Sequence, residues 1–187
     1  MNDLNLQLFH WINLGPGTPA WVLELARVSS TALPAVLLLI VLGVVVWRRQ
    51  DRWSTVLHAV LATFLAWLVT RELSQAWPAP RPFVLGLGQQ WLAHKPTPSF
   101  PSSHAGVALA LGMVAWQLIP HRRWRWLPLL LSLLVAWSRI ALGLHFPVDV
   151  VAGALLGVLA ALLVPRILAL WRSVPSAGRN VAPPPDR

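Results

Sequence analysis

Three short segments set ionisable and hydroxyl side chains beside long apolar runs: PAPRPF (78–83), PSFPSSHAG (98–106) and SRIALGLHFPVD (138–149). In the third, Pro147 suits the first turn of a helix, so His145 stands just before the helix start and Asp149 one turn into it. Residues four apart can face each other. A carboxylate held against one ring nitrogen fixes the imidazole tautomer and leaves the other nitrogen free to attack. His145 is therefore a candidate nucleophile and Asp149 its orienter. Arg139, six residues earlier, can reach the same outer surface with a planar guanidinium suited to a phosphate group. A charge at the edge of an apolar span is expensive unless it is used or solvated. The plainer account of this pair is a snorkelling Arg and a helix-capping Asp.

In the second segment, Ser102 or Ser103 is a natural N-cap for a helix beginning near His104, and the free N–H groups of its first turn form an anion site. His104 then stands beside a bound phosphate as a proton donor to a leaving group, a task suited to an imidazole near neutral pH. Alone, Ser-Ser-His at a helix start is more often only a cap. Two histidines at the starts of helices opening on one side, with Arg81 and Arg139 nearby, point further.

These groups need elements to hold them, and the composition says which. Of 187 residues, 56% are hydrophobic and 11% charged, far from the soluble average of about a quarter charged. The expected fold is all-α: one membrane-embedded domain over 1–172, a polytopic transmembrane helical bundle of about five spans near 28–47, 53–71, 104–120, 126–142 and 148–170. Leu4, Leu8, Trp11 and Ile12 recur at helical spacing, which suggests a short amphipathic helix in the interface. The N-terminal residues lack the basic start and long apolar centre of a cleavable signal peptide. The polar, Pro-rich residues 173–187 read as a disordered cytoplasmic tail.

A net charge of +9 would raise nucleic acid as a partner for a soluble chain. Here the cations sit between apolar runs, as Arg48, Arg49 and Arg52, then Arg122, Arg123 and Arg125, with Arg172 and Arg179 in the tail, and they mark the cytoplasmic side. Alternating the spans puts the Pro-rich loop 72–103 and residues 143–147 outside, with every candidate reactive group. Trp47, Trp53, Trp124, Trp126 and Trp171 fall where helices should leave the hydrocarbon, whereas Trp67, Trp116 and Trp137 read as core. With no Cys in the chain, disulfides and thiolate metal sites are excluded. His10, His58 and His121 carry no site pattern, and neither does His94, although its place in the outer loop leaves a substrate contact open.

The three segments resemble the tripartite signature of the type 2 phosphatidic-acid phosphatases: Lys-x6-Arg-Pro, Pro-Ser-Gly-His and Ser-Arg-x5-His-x3-Asp. Ser138, Arg139, His145 and Asp149 match the third element at every spacing. Pro101, Ser102 and His104 match the second, with Ser103 where Gly is usual. Arg81 and Pro82 match the first, but Ser74 occupies the Lys position, and Arg71 is the nearest cation. Arg71 either supplies that charge or only ends the second span.

The resemblance implies that His145 forms a phosphohistidine, that Asp149 orients it, and that His104 protonates the leaving group and later activates water. Arg81, Arg139 and the amides around Ser102 and Ser103 would hold phosphate oxygens, with no metal and no cofactor. The implied partners are a lipid phosphate or diphosphate and the bilayer, with no nucleic acid. LNLQLFHWIN, RPFVLGLG and SFPSSHA are further similar to bacterial undecaprenyl-diphosphatases of this superfamily. That narrows the expectation to a polyprenyl diphosphate, hydrolysed at the periplasmic face of the bacterial cytoplasmic (inner) membrane. The rival expectations are a phosphatidate or phosphatidylglycerophosphate phosphatase, a non-catalytic carrier of polyprenyl phosphates, and a vanadium haloperoxidase.

Overall fold

In hydrocarbon a backbone has no hydrogen-bond partner but itself, and long apolar runs accordingly close into helices. The computed structural model describes residues 3–48 and 52–173. Among the described residues there is no strand, and the elements follow in the order α1 (Asp3–Ile12), α2 (Ala20–Thr31), α3 (Leu33–Trp47), α4 (Arg52–Ala76), α5 (Ser103–Leu118), α6 (Trp126–Ala141) and α7 (Pro147–Ser173). A single 3₁₀ turn, Pro82–Leu85, interrupts the long loop between α4 and α5. The tail expected beyond α7 lies outside the described residues, as do Arg49 and Arg179.

Helix α5 is the axis of the bundle, packed by α7, α6, α4 and α3. Its contact with α7 is close because Gly153 and Gly157, one turn apart, present no side chain. A Cβ at Gly153 would strike the carbonyl of Ser102, and one at Gly157 the carbonyl of Gly106. Small residues at this spacing let two backbones approach in a membrane, where apolar burial gives helices little reason to associate. The first turns of α5 and α7 are thereby brought together, and the Ser102 amide donates to the Asp149 carbonyl at 2.9 Å.

The helices follow the expected spans with two differences. The first span begins at Ala20 rather than near 28, and it breaks between α2 and α3, whose axes are bent by 50°. Pro34 lacks the N–H that would bond the Ser30 carbonyl, so the turn cannot close. Secondly, only α4 and α7 among the described helices are long and apolar enough to cross a membrane, or three spans if α2 and α3 count as one. At 1.5 Å per residue, the 16 residues of α5 or α6 rise about 24 Å, short of a hydrocarbon core of about 30 Å.

Helix α1 forms where the periodicity places it, but Leu4, Leu8 and Trp11 are exposed, the two leucines along an apolar groove shared with Phe100, Phe146 and Val151, while Phe9 is completely buried. The Phe9 ring meets Phe146 edge to face, 5.3 Å between centroids, and so anchors α1 beneath the start of α7. Trp47 and His121 stack at 6.3 Å, placing the basic segments after α3 and α5 at one end of the bundle. Trp53, Trp124, Trp126 and Trp171 are exposed, as expected of an interfacial belt. Trp11, Trp21 and Trp77 are also exposed, on the elements at the opposite end, a second belt that the sequence reading did not assign. Trp67, expected in the core, is 39% exposed.

Candidate active site

At the end of the bundle away from the basic segments, the loop 77–102 folds back over the starts of α5 and α7. It encloses a cavity of about 200 Å³, lined by Arg81, His94, Thr97, Ser103, His104 and His145, with Ser74 of α4 and two prolines completing the wall. His145 reaches this place because Gly143, at φ +75°, lets the chain turn sharply out of α6. A Cβ there would collide with the carbonyl of Gln89.

Pro147 occupies the first turn of α7, and Asp149 reaches back so that its Oδ2 accepts the Phe146 amide at 2.9 Å. This is one half of a capping box, so the capping account of Asp149 is met by the structure. The contact expected between Asp149 and His145 is looser than their spacing suggests: Oδ2 lies 3.7 Å from Nδ1, beyond hydrogen-bond distance. Ser99 stands between them. Its hydroxyl donates to Asp149 Oδ2 at 2.5 Å and lies 3.3 Å from His145 Nδ1.

Arg81 contacts the other side of the ring. Its Nη1 donates to His145 Nε2 at 2.9 Å and to the Leu144 carbonyl at 2.9 Å. Nε donates to the Thr97 carbonyl, and Nη2 to Thr97 Oγ1 and the Pro98 carbonyl. A guanidinium has five N–H groups, and all five are engaged. Burial brings the Arg81 pKa down to about 10, opposed by attraction to Asp149, which leaves it charged at neutral pH. Burial also pushes His145 below its ordinary value, against the opposing influence of the nearby Asp149 carboxylate and with the field of Arg81 adding to the shift. The ring is thus neutral at neutral pH.

Arg139 presents the opposite picture. It is 2% exposed, yet its one hydrogen bond runs from Nη1 to Ser30 Oγ at 2.5 Å, while Nε and Nη2 have no partner. Buried guanidinium donors left empty are costly, and an anion beside them would satisfy them.

Ser102 is the N-cap of α5, its Oγ accepting the Ala105 amide at 3.5 Å, and it is buried outside the cavity wall. Ser103 and His104 line the cavity, next to first-turn amides that no helical carbonyl can reach. Arg71 is not brought in. Its guanidinium lies over the Trp67 ring, 5.2 Å from the centroid, and Ser74 is the residue of this turn that faces the cavity.

His94, which carried no site pattern, lines the cavity with its ring 6.5 Å from that of His104. Its Nδ1–H donates to the Lys95 carbonyl at 2.8 Å. Burial, and then the fields of Arg81 and Arg139, hold its pKa below the ordinary value. Among the described residues, no group of three or more His, Cys, Asp or Glu side chains is placed to hold a metal ion.

The N-terminal segment is tied to the loop and to the ends of α6 and α7. Asn13 Nδ2 donates to the carbonyls of Gln89 and Ala141, and its Oδ1 accepts the Gln89 amide. Asn5 Oδ1 caps α7 by accepting the Val148 amide at 3.0 Å.

Residues 55–173 match the PAP2 superfamily. A relative in Escherichia coli (strain K12), the putative undecaprenyl-diphosphatase YbjG, is 32% identical over 165 residues, covering 87% of this chain and 81% of its own. The bacitracin transport permease protein BcrC of Bacillus licheniformis is 32% identical over 174 residues, covering 87% of this chain and 80% of its own. Among solved structures, LpxE of Aquifex aeolicus superposes with a TM-score of 0.69 at 24% identity, over 87% of this chain and 95% of that one.

Proposed function

The chain belongs to the PAP2 superfamily and is a lipid phosphatase, and from that premise we propose that it hydrolyses undecaprenyl diphosphate to the monophosphate at the periplasmic face of a bacterial cytoplasmic membrane, crossing it about five times with α1 in the interface. The observation that carries the phosphoryl chemistry is the pair of empty, buried Arg139 donors, which do not line the cavity of about 200 Å³ but whose charge is felt by the neutral His145 imidazole in its wall. That volume accepts a headgroup and leaves a long isoprenoid chain outside. The choice of a diphosphate is supported by similarity to the Escherichia coli relative, which extends well beyond residues 55–173. It therefore includes part of the remaining chain, to which the Asn13 clasp and Phe9 belong.

Arg81 Nη1 first yields its place at His145 Nε2 to the terminal phosphorus. The Nε2–P bond forms as the bond from phosphorus to the bridging oxygen breaks, and His104 gives its proton to the departing lipid monophosphate. Arg139 and the first-turn amides of α5 take the charge building on the non-bridging oxygens. In the second step His104 accepts a proton from water, which attacks phosphorus, breaks the P–N bond and releases inorganic phosphate.

The test is phosphate release in detergent from undecaprenyl diphosphate, undecaprenyl phosphate, phosphatidate and phosphatidylglycerophosphate. The diphosphate is expected to give the highest kcat/KM, and a higher value for any other lipid overturns the substrate assignment. Single-turnover release of lipid product from His104→Ala sharpens it. A monophosphate expels an alkoxide of conjugate-acid pKa about 16, and a diphosphate expels a phosphate ester of about 6. The loss should be on the order of 10²–10⁴ for the former and distinctly less for the latter. Equal losses remove His104 from the acid role.

A further inference from the structure

Proton accounting around His145 assigns a task to a residue outside the three-part signature. The Nη1 of Arg81 can only donate, so His145 Nε2, 2.9 Å away, must accept. The ring proton of the neutral imidazole is then on Nδ1. Ser99 has one hydroxyl proton, and the 2.5 Å contact with Asp149 Oδ2 claims it. Ser99 Oγ is left to accept from Nδ1, while the carboxylate itself stays too far from the ring to do so.

We propose that Ser99 is the positioning residue of the nucleophile, its hydroxyl being the connector through which the Asp149 carboxylate holds His145 in the Nδ1–H tautomer with Nε2 turned to the phosphate. The placement of the hydroxyl is rigid. Ser99 is completely buried, its amide donates to the Ala79 carbonyl at 2.8 Å, and Arg81 grips the preceding carbonyls of Thr97 and Pro98. As Nε2 bonds to phosphorus, positive charge develops on the ring and Nδ1–H becomes a stronger donor. The Ser99 oxygen, polarised by its own bond to a carboxylate, meets that charge without any proton leaving the chain of three groups.

Ser99 does not line the cavity, so its loss should lower kcat and leave KM in place. Partners one step behind a reacting group commonly carry 10–100-fold in activity. Ser99→Ala should lose about that much kcat on undecaprenyl diphosphate or phosphatidate, whichever the wild type turns over faster. Ser99→Thr, which keeps the hydroxyl, should remain within a few-fold. Ser99→Cys fills nearly the same space with a weak hydrogen-bonding group, and it should fall with Ala. A packing role predicts the reverse order for Thr and Cys.

The second measurement is a double-mutant cycle with Asp149→Ala. If the two residues act through one connection, Ser99→Cys costs less than about twofold once the carboxylate is gone, and the coupling is strong. The acid limb of kcat/KM should also move to lower pH in Ser99→Cys, since Nδ1–H has lost the acceptor that favours the protonated ring. Additive losses in the cycle, or a Cys variant with wild-type kcat, overturn the proposal. It rests on His145 being the nucleophile, and the two can fail separately. Turnover by His145→Ala sinks the nucleophile, whereas an inert His145→Ala beside an active Ser99→Cys sinks only the role of Ser99.

Discussion

Arg81 and Arg139 carry the same charge towards the same imidazole, and their surroundings are opposite. On the loop between α4 and α5, Arg81 has every N–H engaged by the protein. At the end of α6, Arg139 is just as buried and keeps two nitrogens without a partner. Guanidinium donors can serve the fold or the substrate, and the two uses are told apart by counting partners. Arg81 straps the loop to His145, and Arg139 is held by one bond to Ser30 with donors to spare.

The contrast is broken most directly at Arg139. Removing a preorganised donor to developing charge costs on the order of 10²–10³ in rate, and Arg139→Ala should lose at least that. Its unfolding midpoint in detergent should not fall, because an unsatisfied buried charge has been taken away. A clear drop in the midpoint would make Arg139 structural. Arg139→Lys should recover little, since an ammonium cannot reproduce the fork.

Arg81→Ala should show the other pattern. Activity falls on the order of 10–10², by analogy with other partners that orient a reacting group. Stability also falls, by about 1–3 kcal/mol for buried acceptors left unmade, measured as a lower midpoint. An Arg81→Ala protein as stable as wild type would erase the distinction between the two residues.

Proton titration gives a finer separation. Because His145 sits below its ordinary pKa, the acid limb of wild-type kcat/KM should lie below pH 6.5. Stability contributed by the neutral buried ring is present above that pH and is lost as pH falls towards the folded value. The field of Arg81 depresses His145 more than that of Arg139 does. The acid limb should accordingly shift upward further in Arg81→Ala than in Arg139→Ala, and equal shifts would count against the assigned contacts.

The smallest effect is expected at Arg71. Its guanidinium rests on Trp67 outside the cavity, an exposed contact worth about 0.5–1 kcal/mol at most. Arg71→Ala should change kcat/KM by less than about threefold. A larger loss would restore it as the substitute for the missing Lys, and Ser74→Lys would then be the variant that rescues it.

Helices and the positions of the candidate side chains were legible because each left a pattern. Apolar runs separated by Arg and Pro gave elements near α3 to α7, and the His145–Asp149 spacing placed both at one helix start. Ser99 left none, since an irregular Pro-rich loop has no period from which the facing of a side chain can be read. Its position between Pro98 and Pro101, inside a segment already singled out, was the one available signal. The break at Ala32 was readable from Pro34, but that Ser30 there would hold Arg139, 109 residues away, was not. The stacking of Arg71 on Trp67 could have been anticipated, because residues four apart share a helix face.

The clasp made by Asn13 has a consequence in time. Its amide joins the end of α1 to the carbonyl of Ala141, 128 residues later in the chain. At about 5–20 residues per second of synthesis, α1 waits on the order of 6–26 s before that partner exists, and longer before the α7 amide capped by Asn5 emerges. An unfinished chain therefore lacks both contacts, and the surroundings of His145 are complete only once the last helix is in place.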